Sequence, residues 1–164
     1  MLLFSSLVRS NLEYLSQVWN PFYDDYSNRI ERVQRRFTKF LCFKYVPSTN
    51  HISFELRNDK FNLISLENRR ILLDEYFLFK LVNNYLDTTL LSKINFYAPA
   101  YRTRHQQLFH TSISRTNLGL SSPINRLEAK HILFFSDLDL FNLSLSQLRK
   151  NCISVLLGNS NIIT

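Results

Sequence analysis

The chain contains very little glycine and proline, with two and four residues among 164. Tight turns with positive φ should therefore be few, which argues against a many-stranded β architecture. A glycine-rich phosphate loop is excluded, since the glycines stand alone at positions 119 and 158. The composition predicts an all-α or mostly α protein.

Cysteine is as scarce as glycine, with two residues. Cys42 and Cys152 lie 110 residues apart, and neither belongs to a Cys-x-x-Cys pair. This pattern indicates buried, reduced thiols and no disulfide framework. The histidines have no metal-ligand spacing with one another or with the cysteines. We therefore expect no metal site, no cofactor and no small-molecule substrate. The four histidines are His51, His105, His110 and His131.

Long apolar runs are also missing. No segment approaches the ~20 apolar residues that span a bilayer. The N-terminal MLLFSSLV has no leading positive charge and is followed by no small-residue cleavage site. We expect a soluble, intracellular protein with no membrane partner, in either the nucleus or the cytoplasm.

Positive charge is abundant: the formal net charge is +7 and the pI is near 9.6. Such an excess suits a polyanionic partner, although it is also compatible with a merely soluble surface. The densest basic run lies in residues 24–44, where the cations repeat at steps of three, four and three. These four candidates for nucleic-acid binding are Arg29, Arg32, Arg36 and Lys39.

The same segment has a strong helical period. Tyr26, Ile30, Val33, Phe37 and Phe40 recur at steps of four and three, which predicts an apolar face packed on the core. The cations centre about 100° around the helix from that face, so we expect them to border the core.

Acids at the start of this helix have a structural interpretation. Asp24 suits the N-cap position, and Asp25 the first turn. Two i, i+4 ion pairs are available, Asp25 with Arg29 and Glu31 with Arg35. Four cations have no partner of this kind within the helix: Arg32, Arg36, Lys39 and Lys44. Arginine beside aromatic side chains favours phosphate contact and base stacking, while a solvated helix face is the alternative.

The tetrapeptide at 22–25 (FYDD) has the aromatic-x-Asp-Asp form with which polymerases hold two metal ions. Here it follows Trp-Asn-Pro and opens a charged helix, whereas the catalytic motif needs a strand hairpin. We predict no catalytic residue in this chain.

The remaining pattern predicts an irregular helical bundle built on an N-terminal αα-hairpin of helices 3–19 and 24–44. Residues 95–121 should form a long irregular connection that carries two further candidate cations, Arg102 and Arg104. The expected domains are 1–94 and 95–164, or one continuous domain. Other helices are expected at 66–84, after a Ser65 cap, at 87–94, after an Asp87 cap, at 123–135, and from a Ser144 cap to a stop at Gly158.

Several strings together resemble one protein family. They are 7–14 (LVRSNLEY), 18–21 (VWNP), 30–39 (IERVQRRFTK), 66–70 (LENRR), 102–104 (RTR), 121–127 (SSPINRL) and 137–141 (DLDLF). In this order they resemble the region downstream of the palm in reverse transcriptases of non-long-terminal-repeat retrotransposons, the jockey-like kind common in arthropods. After residue 127 the family usually has an aromatic-Asn pair, where this chain has EAKH.

The resemblance implies a thumb-like region, 1–94, and a C-terminal helical extension that help to grip a template-primer duplex of RNA and DNA. In the family the catalytic aspartates lie upstream, so this chain would not be an enzyme on its own. The implied partners are the nucleic-acid duplex and an upstream palm domain. Two alternatives remain: a helical module that packs only on protein, and an inactive relic that binds no nucleic acid.

Overall fold

The computed structural model describes residues 2–45, 52–98, 101 and 107–159. Across these residues the regular structure is helical, and no sheet is present apart from one antiparallel bridge between Phe96 and Phe109. The all-α prediction is confirmed. The chain forms two compact units, Met1–Arg70 and Ile71–Thr164. The predicted domain division between 94 and 95 is a different boundary and stays a prediction.

The first unit contains a π-helical turn, several α-helices and the start of a long helix that continues into the second unit. The turn is Phe4–Arg9, and the helices are α1 (Ser10–Glu13), α2 (Ser16–Trp19), α3 (Asp24–Tyr45), α4 (Phe54–Lys60) and the start of α5 (Leu66–Val82). Bounds of α3 and α5 agree with the predicted helices within two residues.

The predicted continuous helix 3–19 is wrong, because the chain breaks between α1 and α2. Leu15 adopts a left-handed conformation with φ of 50°, which an α-helix cannot contain. The indole N–H of Trp19 donates to the backbone carbonyl of Tyr14 and so spans the break. Hydrophobic spacing alone could not reveal it, since Leu15 matches the helical period.

The second unit contains the rest of α5 and further helices. They are α6 (Thr88–Leu91), α7 (Asn117–Leu120), α8 (Pro123–Phe134) and α9 (Leu145–Asn159). The predicted caps at 65, 87 and 144 are confirmed: each side chain accepts a backbone N–H, from Asn68, Thr89 and Gln147. The predicted stop at Gly158 is wrong, since α9 runs through it to Asn159.

Polar pairs join α5 to α8 inside the second unit. Asp74 accepts a hydrogen bond from Arg126 at 3.3 Å, and His131 Nδ1 lies 2.9 Å from Glu75 Oε1. All four residues are buried, and Leu78, Leu81 and other apolar side chains of α5 are buried around them. α5 is therefore a largely buried helix. Pairing is what makes such burial tolerable, because an isolated buried charge is strongly destabilising.

The irregular connection is anchored to α8. The backbone N–H of Asn95 donates to the Glu128 carboxylate at 2.9 Å, and the Phe109 ring meets the His131 ring edge-on at 5.1 Å. The short helix α7, which lies in the described part of this stretch, was not predicted. None of the helices in the described parts of the chain is long and apolar enough to cross a bilayer.

Candidate nucleic-acid interface

The four predicted cations of α3 lie together on the exposed side of the helix. Arg29, Arg32, Arg36 and Lys39 are all exposed, and their steps of three and four keep them on one line. We call this line the cationic stripe. Phe43 continues it by a further step of four and is 86% exposed. The stripe is about 15 Å long, at 1.5 Å per residue.

The opposite side of α3 is buried; it is polar from residue 31 to residue 38 and ends in the apolar Leu41 and Cys42. Glu31 is 6% exposed, while Gln34 and Thr38 are fully buried. The Glu31 carboxylate accepts the backbone N–H groups of Leu66 and Glu67, at 3.2 and 3.3 Å. We call Glu31, Gln34 and Thr38 the polar seam.

Backbone groups distant in sequence hold the polar seam in place. The first N–H groups of a helix have no intrahelical partner, so Glu31 caps the N-terminus of α5. Gln34 Nε2 donates to the carbonyl of Ile64 at 3.0 Å and to Asn58 Oδ1 at 3.3 Å. The first bond satisfies a backbone carbonyl of the α4–α5 connection, and the second joins α3 to the buried Asn58 of α4. The polar seam therefore determines the rotation of α3.

This rotation displaces the buried side of α3 from the predicted core face, of which Ile30 and Val33 stay partly buried. Tyr26 and Phe40 are 54% and 58% exposed, and Phe37 is only partly buried, although its ring stacks on Phe4 at 3.9 Å. The polar seam lies about 110° from the predicted apolar face and about 150° from the cationic stripe. The expectation that the cations border the core is wrong: they point almost directly away from the buried side of α3.

Most cations of the stripe are not engaged in ion pairs. Arg29 pairs with Asp25 at 3.4 Å, as predicted. The predicted pair of Glu31 with Arg35 is wrong, because Glu31 caps α5, and the Arg35 guanidinium lies 4.9 Å from the Phe54 ring centroid. Within the described residues the other three members of the stripe form no ion pair. They are Arg32, Arg36 and Lys39.

The one acid buried in α3 does not face the stripe. Burial raises the pKa of Glu31 above its ordinary value of 4.5, and this effect outweighs the N–H groups of Leu66 and Glu67 and the nearby Arg70, which lower it. Its charge is directed into the first unit. The charged side chains exposed on α3 from 29 to 44 are therefore all cations.

Asp24 and Asp25 lie exposed in the first turn of α3. The helix begins at Asp24 itself, so the predicted N-cap lies one residue inside the helix. In the described part of the chain no three histidine, cysteine, aspartate or glutamate side chains come together as a metal site. Two further candidates, Arg102 and Arg104, lie outside the described residues.

Sequence reasoning missed a cluster of aromatic rings at the start of the stripe. The Phe22 and Tyr23 rings meet edge-on at 5.3 Å between centroids, and Tyr23 meets Tyr26 at 6.3 Å. The Arg29 guanidinium carbon lies 5.6 Å from the Tyr26 centroid. The signal for this cluster lies in the sequence, because positions 22 and 23 are adjacent and position 26 follows position 23 by three residues.

A cavity of about 600 Å³ in the second unit was also missed. Its lining includes Tyr97, Tyr101, Asp137 and Asp139. Backbone N–H and Asn142 side-chain hydrogen bonds lower the pKa of Asp139, so this carboxyl is ionised at neutral pH. Two acids in its lining make the cavity unsuitable for phosphate.

Comparisons with protein families, with curated proteins and with solved structures find no match for this chain. The family resemblance therefore depends on the sequence strings alone. The geometry of α3 is a separate observation. The exposure, ion pairing and charge of its side chains do not depend on the family resemblance.

Proposed function

We propose that this protein is a noncatalytic nucleic-acid-binding module, a thumb-like region derived from a retrotransposon reverse transcriptase, which holds a template-primer duplex through α3. The observation that carries the proposal is the cationic stripe itself. Its members project away from the buried polar seam, and three of the four form no ion pair within the described residues.

The length and chemistry of the stripe suit a phosphate backbone. Its roughly 15 Å cover about four nucleotides of one strand at 3.4 Å each. Arginine presents a planar set of donors that matches phosphate oxygens, and an exposed cation gains by releasing condensed counterions. Arg29 should contribute least, because Asp25 already neutralises part of its charge.

Contacts of this kind with phosphates do not depend on the nucleotide sequence. Phosphate contacts position a protein on a duplex without reading its bases, and Gln34, the one amide side chain in the middle of α3, is fully buried. The proposed activity is therefore binding of a nucleic-acid duplex without recognition of its base sequence. Chemistry on the nucleic acid would belong to the palm domain of the parent enzyme, which the family resemblance places upstream.

The test is a titration of the purified protein into a labelled RNA–DNA hybrid, followed by fluorescence anisotropy at several salt concentrations. With three or four cations on phosphates, log K should fall with log salt at a slope of roughly −2 to −4. The double charge reversal Arg32→Glu and Arg36→Glu should weaken binding by at least about tenfold and flatten the slope by about two.

A matched control separates the stripe from net charge. Arg149 and Lys150 are exposed on α9, and Arg149→Glu with Lys150→Glu changes the net charge by the same amount. This control should retain most of the affinity and the slope. Equal losses in both double variants, or no binding by the unsubstituted protein, would overturn the proposed function.

A second candidate, a module that packs only on another protein, is favoured by apolar exposure near the N-terminus. Leu2, Leu3 and Leu7 are 87%, 75% and 62% exposed. Exposed apolar groups of this kind mark interaction surfaces when they form a patch. Concentration-dependent association in light scattering, together with no binding to the hybrid, would support this candidate. A monomer that binds no nucleic acid would indicate an inactive relic.

A further inference from the structure

Exposed aromatic rings lie at both ends of the cationic stripe. Phe22, Tyr23 and Tyr26 are 48%, 56% and 54% exposed at its N-terminal end. At its C-terminal end Phe40 and Phe43 are 58% and 86% exposed. Large exposed rings are unfavourable in water, so a series of them beside cations indicates a ligand that covers them.

The N-terminal rings are held in place before any ligand binds. Phe22 meets Tyr23 at 85° and Tyr23 meets Tyr26 at 64°, the edge-on geometry that aromatic pairs prefer. Arg29 places its guanidinium 5.6 Å from the Tyr26 centroid. A base that stacks there gains ring contact and a nearby cation without ordering a loose side chain.

The sign of the exposed charge changes along α3. The exposed carboxylates of Asp24 and Asp25 lie next to the N-terminal rings and repel phosphate there. The middle of the stripe has only cations: Arg32, Arg36 and Lys39. Phosphates therefore favour the middle of α3, and uncharged bases favour its aromatic ends.

Paired bases cannot use these rings. In a duplex the base faces are covered by neighbouring pairs, whereas unpaired bases offer theirs to aromatic side chains. Tyr26 and Phe43 are seventeen residues apart in one helix, or about 25 Å. Phe43 continues the line of the stripe, and Tyr26 lies one turn before Arg29 and about 60° around the helix from it, so a strand that passes over the stripe can reach both rings.

We propose that α3 and the preceding linker form a site for unpaired nucleotides, such as the single-stranded tail of a template beyond its duplex. Bases stack on Tyr23, Tyr26 and Phe43 while the intervening phosphates lie over the stripe. This inference rests on the proposed function and adds to it a class of ligand. A protein surface is the competing occupant.

The test compares two labelled hybrids with the same duplex, one blunt and one with a template tail of about eight nucleotides, within known single-strand site sizes. The tail carries 2-aminopurine, whose fluorescence falls on stacking. The unsubstituted protein should bind the tailed hybrid at least about fivefold more tightly, and the 2-aminopurine signal should be quenched.

Single substitutions then identify the rings on which the unpaired bases stack. Tyr26→Ala and Phe43→Ala should each reduce affinity for the tailed hybrid about fivefold or more, with little effect on the blunt hybrid. Tyr26→Phe should restore tailed binding, because it retains the ring. Tyr14 is 71% exposed in the same unit and lies off α3, so Tyr14→Ala is the matched control and should bind both hybrids normally.

The outcomes separate the two proposals. Equal affinity of the unsubstituted protein for both hybrids would overturn the site for unpaired nucleotides. It would not contradict the proposed binding of the duplex by the cationic stripe. A preference for the tailed hybrid that survives both alanine variants would also overturn it. If the alanine variants instead reduce self-association and leave the preference unchanged, the rings are a protein surface. Absence of any binding would overturn both proposals.

Discussion

Glu31 shows how one buried polar side chain can determine the orientation of a helix. Its carboxylate lies in α3 but accepts the first N–H groups of α5, thirty-five residues later in the chain. A hydrophobicity pattern treats such a residue as exposed, because charged side chains are rarely buried without a partner. Here the partner is the end of another helix.

Replacement of Glu31 should therefore destabilise the first unit. We expect Glu31→Ala to lower the free energy of unfolding by about 1–3 kcal/mol, because the N–H groups of Leu66 and Glu67 lose their acceptor in a buried site. Urea unfolding followed by circular dichroism measures the loss. Asn28→Ala, at an exposed position of the same helix, is the control and should change stability by less than about 0.5 kcal/mol. Equal stability of the two variants would contradict the capping role.

Glu128 should make stability depend on pH. Burial raises its pKa above 4.5, an effect that exceeds the opposing Asn95 N–H and the neighbouring His110. A folded-state pKa above the unfolded value means that its contribution is fully present below about pH 4.5 and is lost as pH rises through the folded pKa.

The substitution Glu128→Gln tests the direction of this pH dependence. The amide oxygen can still accept from Asn95, while the carboxylate charge is removed. From about pH 4 to about pH 7 the variant should become progressively more stable than the unsubstituted protein, because only the latter deprotonates in a buried site. Urea unfolding at several pH values gives the difference. A difference that shrinks as pH rises would reverse the assigned direction of the pKa.

At the scale of elements, the predictions that succeeded depend on neighbours in sequence. The start of α9 is an example: Ser144 and Gln147 satisfy each other's backbone N–H groups in a capping box, which is visible as a serine three residues before a glutamine. The break before α2 lacked such a signal. Asn62 and Asn84 also have positive φ, but asparagine tolerates that region, and leucine does not.

Leu15 should therefore be a strained position. Because its side chain is 52% exposed, Leu15→Gly removes little packing and relieves the left-handed backbone. We expect a gain of up to about 1 kcal/mol in the free energy of unfolding. Thermal or urea unfolding measures it. Val18→Gly, at an exposed helical position of α2, should instead lose up to about 1 kcal/mol. A loss in both variants would show that Leu15 is not strained.

For the whole molecule, each compact unit contains one free cysteine. Cys42 is 8% exposed in the first unit, and Cys152 is fully buried in the second. Burial, helped by the nearby Glu75, raises the pKa of Cys152 to about 12, so its thiol is protonated at neutral pH. Each thiol can react only when its surroundings open, and it therefore reports the opening of its own unit.

Thiol labelling with an Ellman-type reagent tests this arrangement. In native buffer Cys152 should react much more slowly than Cys42, and both should react rapidly in concentrated urea. Cys152→Ala and Cys42→Ala, one at a time, assign the two rates. Labelling of Cys152 in native buffer as fast as in urea would contradict its buried position.

The sequence by itself determined the all-α class, most helix boundaries and the line of cations in α3. These features follow from local causes: the scarcity of glycine, capping side chains beside their own helices, and residue spacing along one helix. The cationic stripe was visible for this reason, since residues three and four apart share a face in any α-helix.

Only the tertiary structure decided which side of α3 is buried. The apolar pattern pointed to Tyr26 and Phe40, but the partners of Glu31 and Gln34 are backbone groups of residues 64–67, which no local rule connects to α3. Buried backbone groups require partners, and satisfying them rotates α3 so that its polar seam lies about 110° around the helix from the centre of the predicted apolar face. That rotation exposes the aromatic rings and directs the cations away from the buried side of α3.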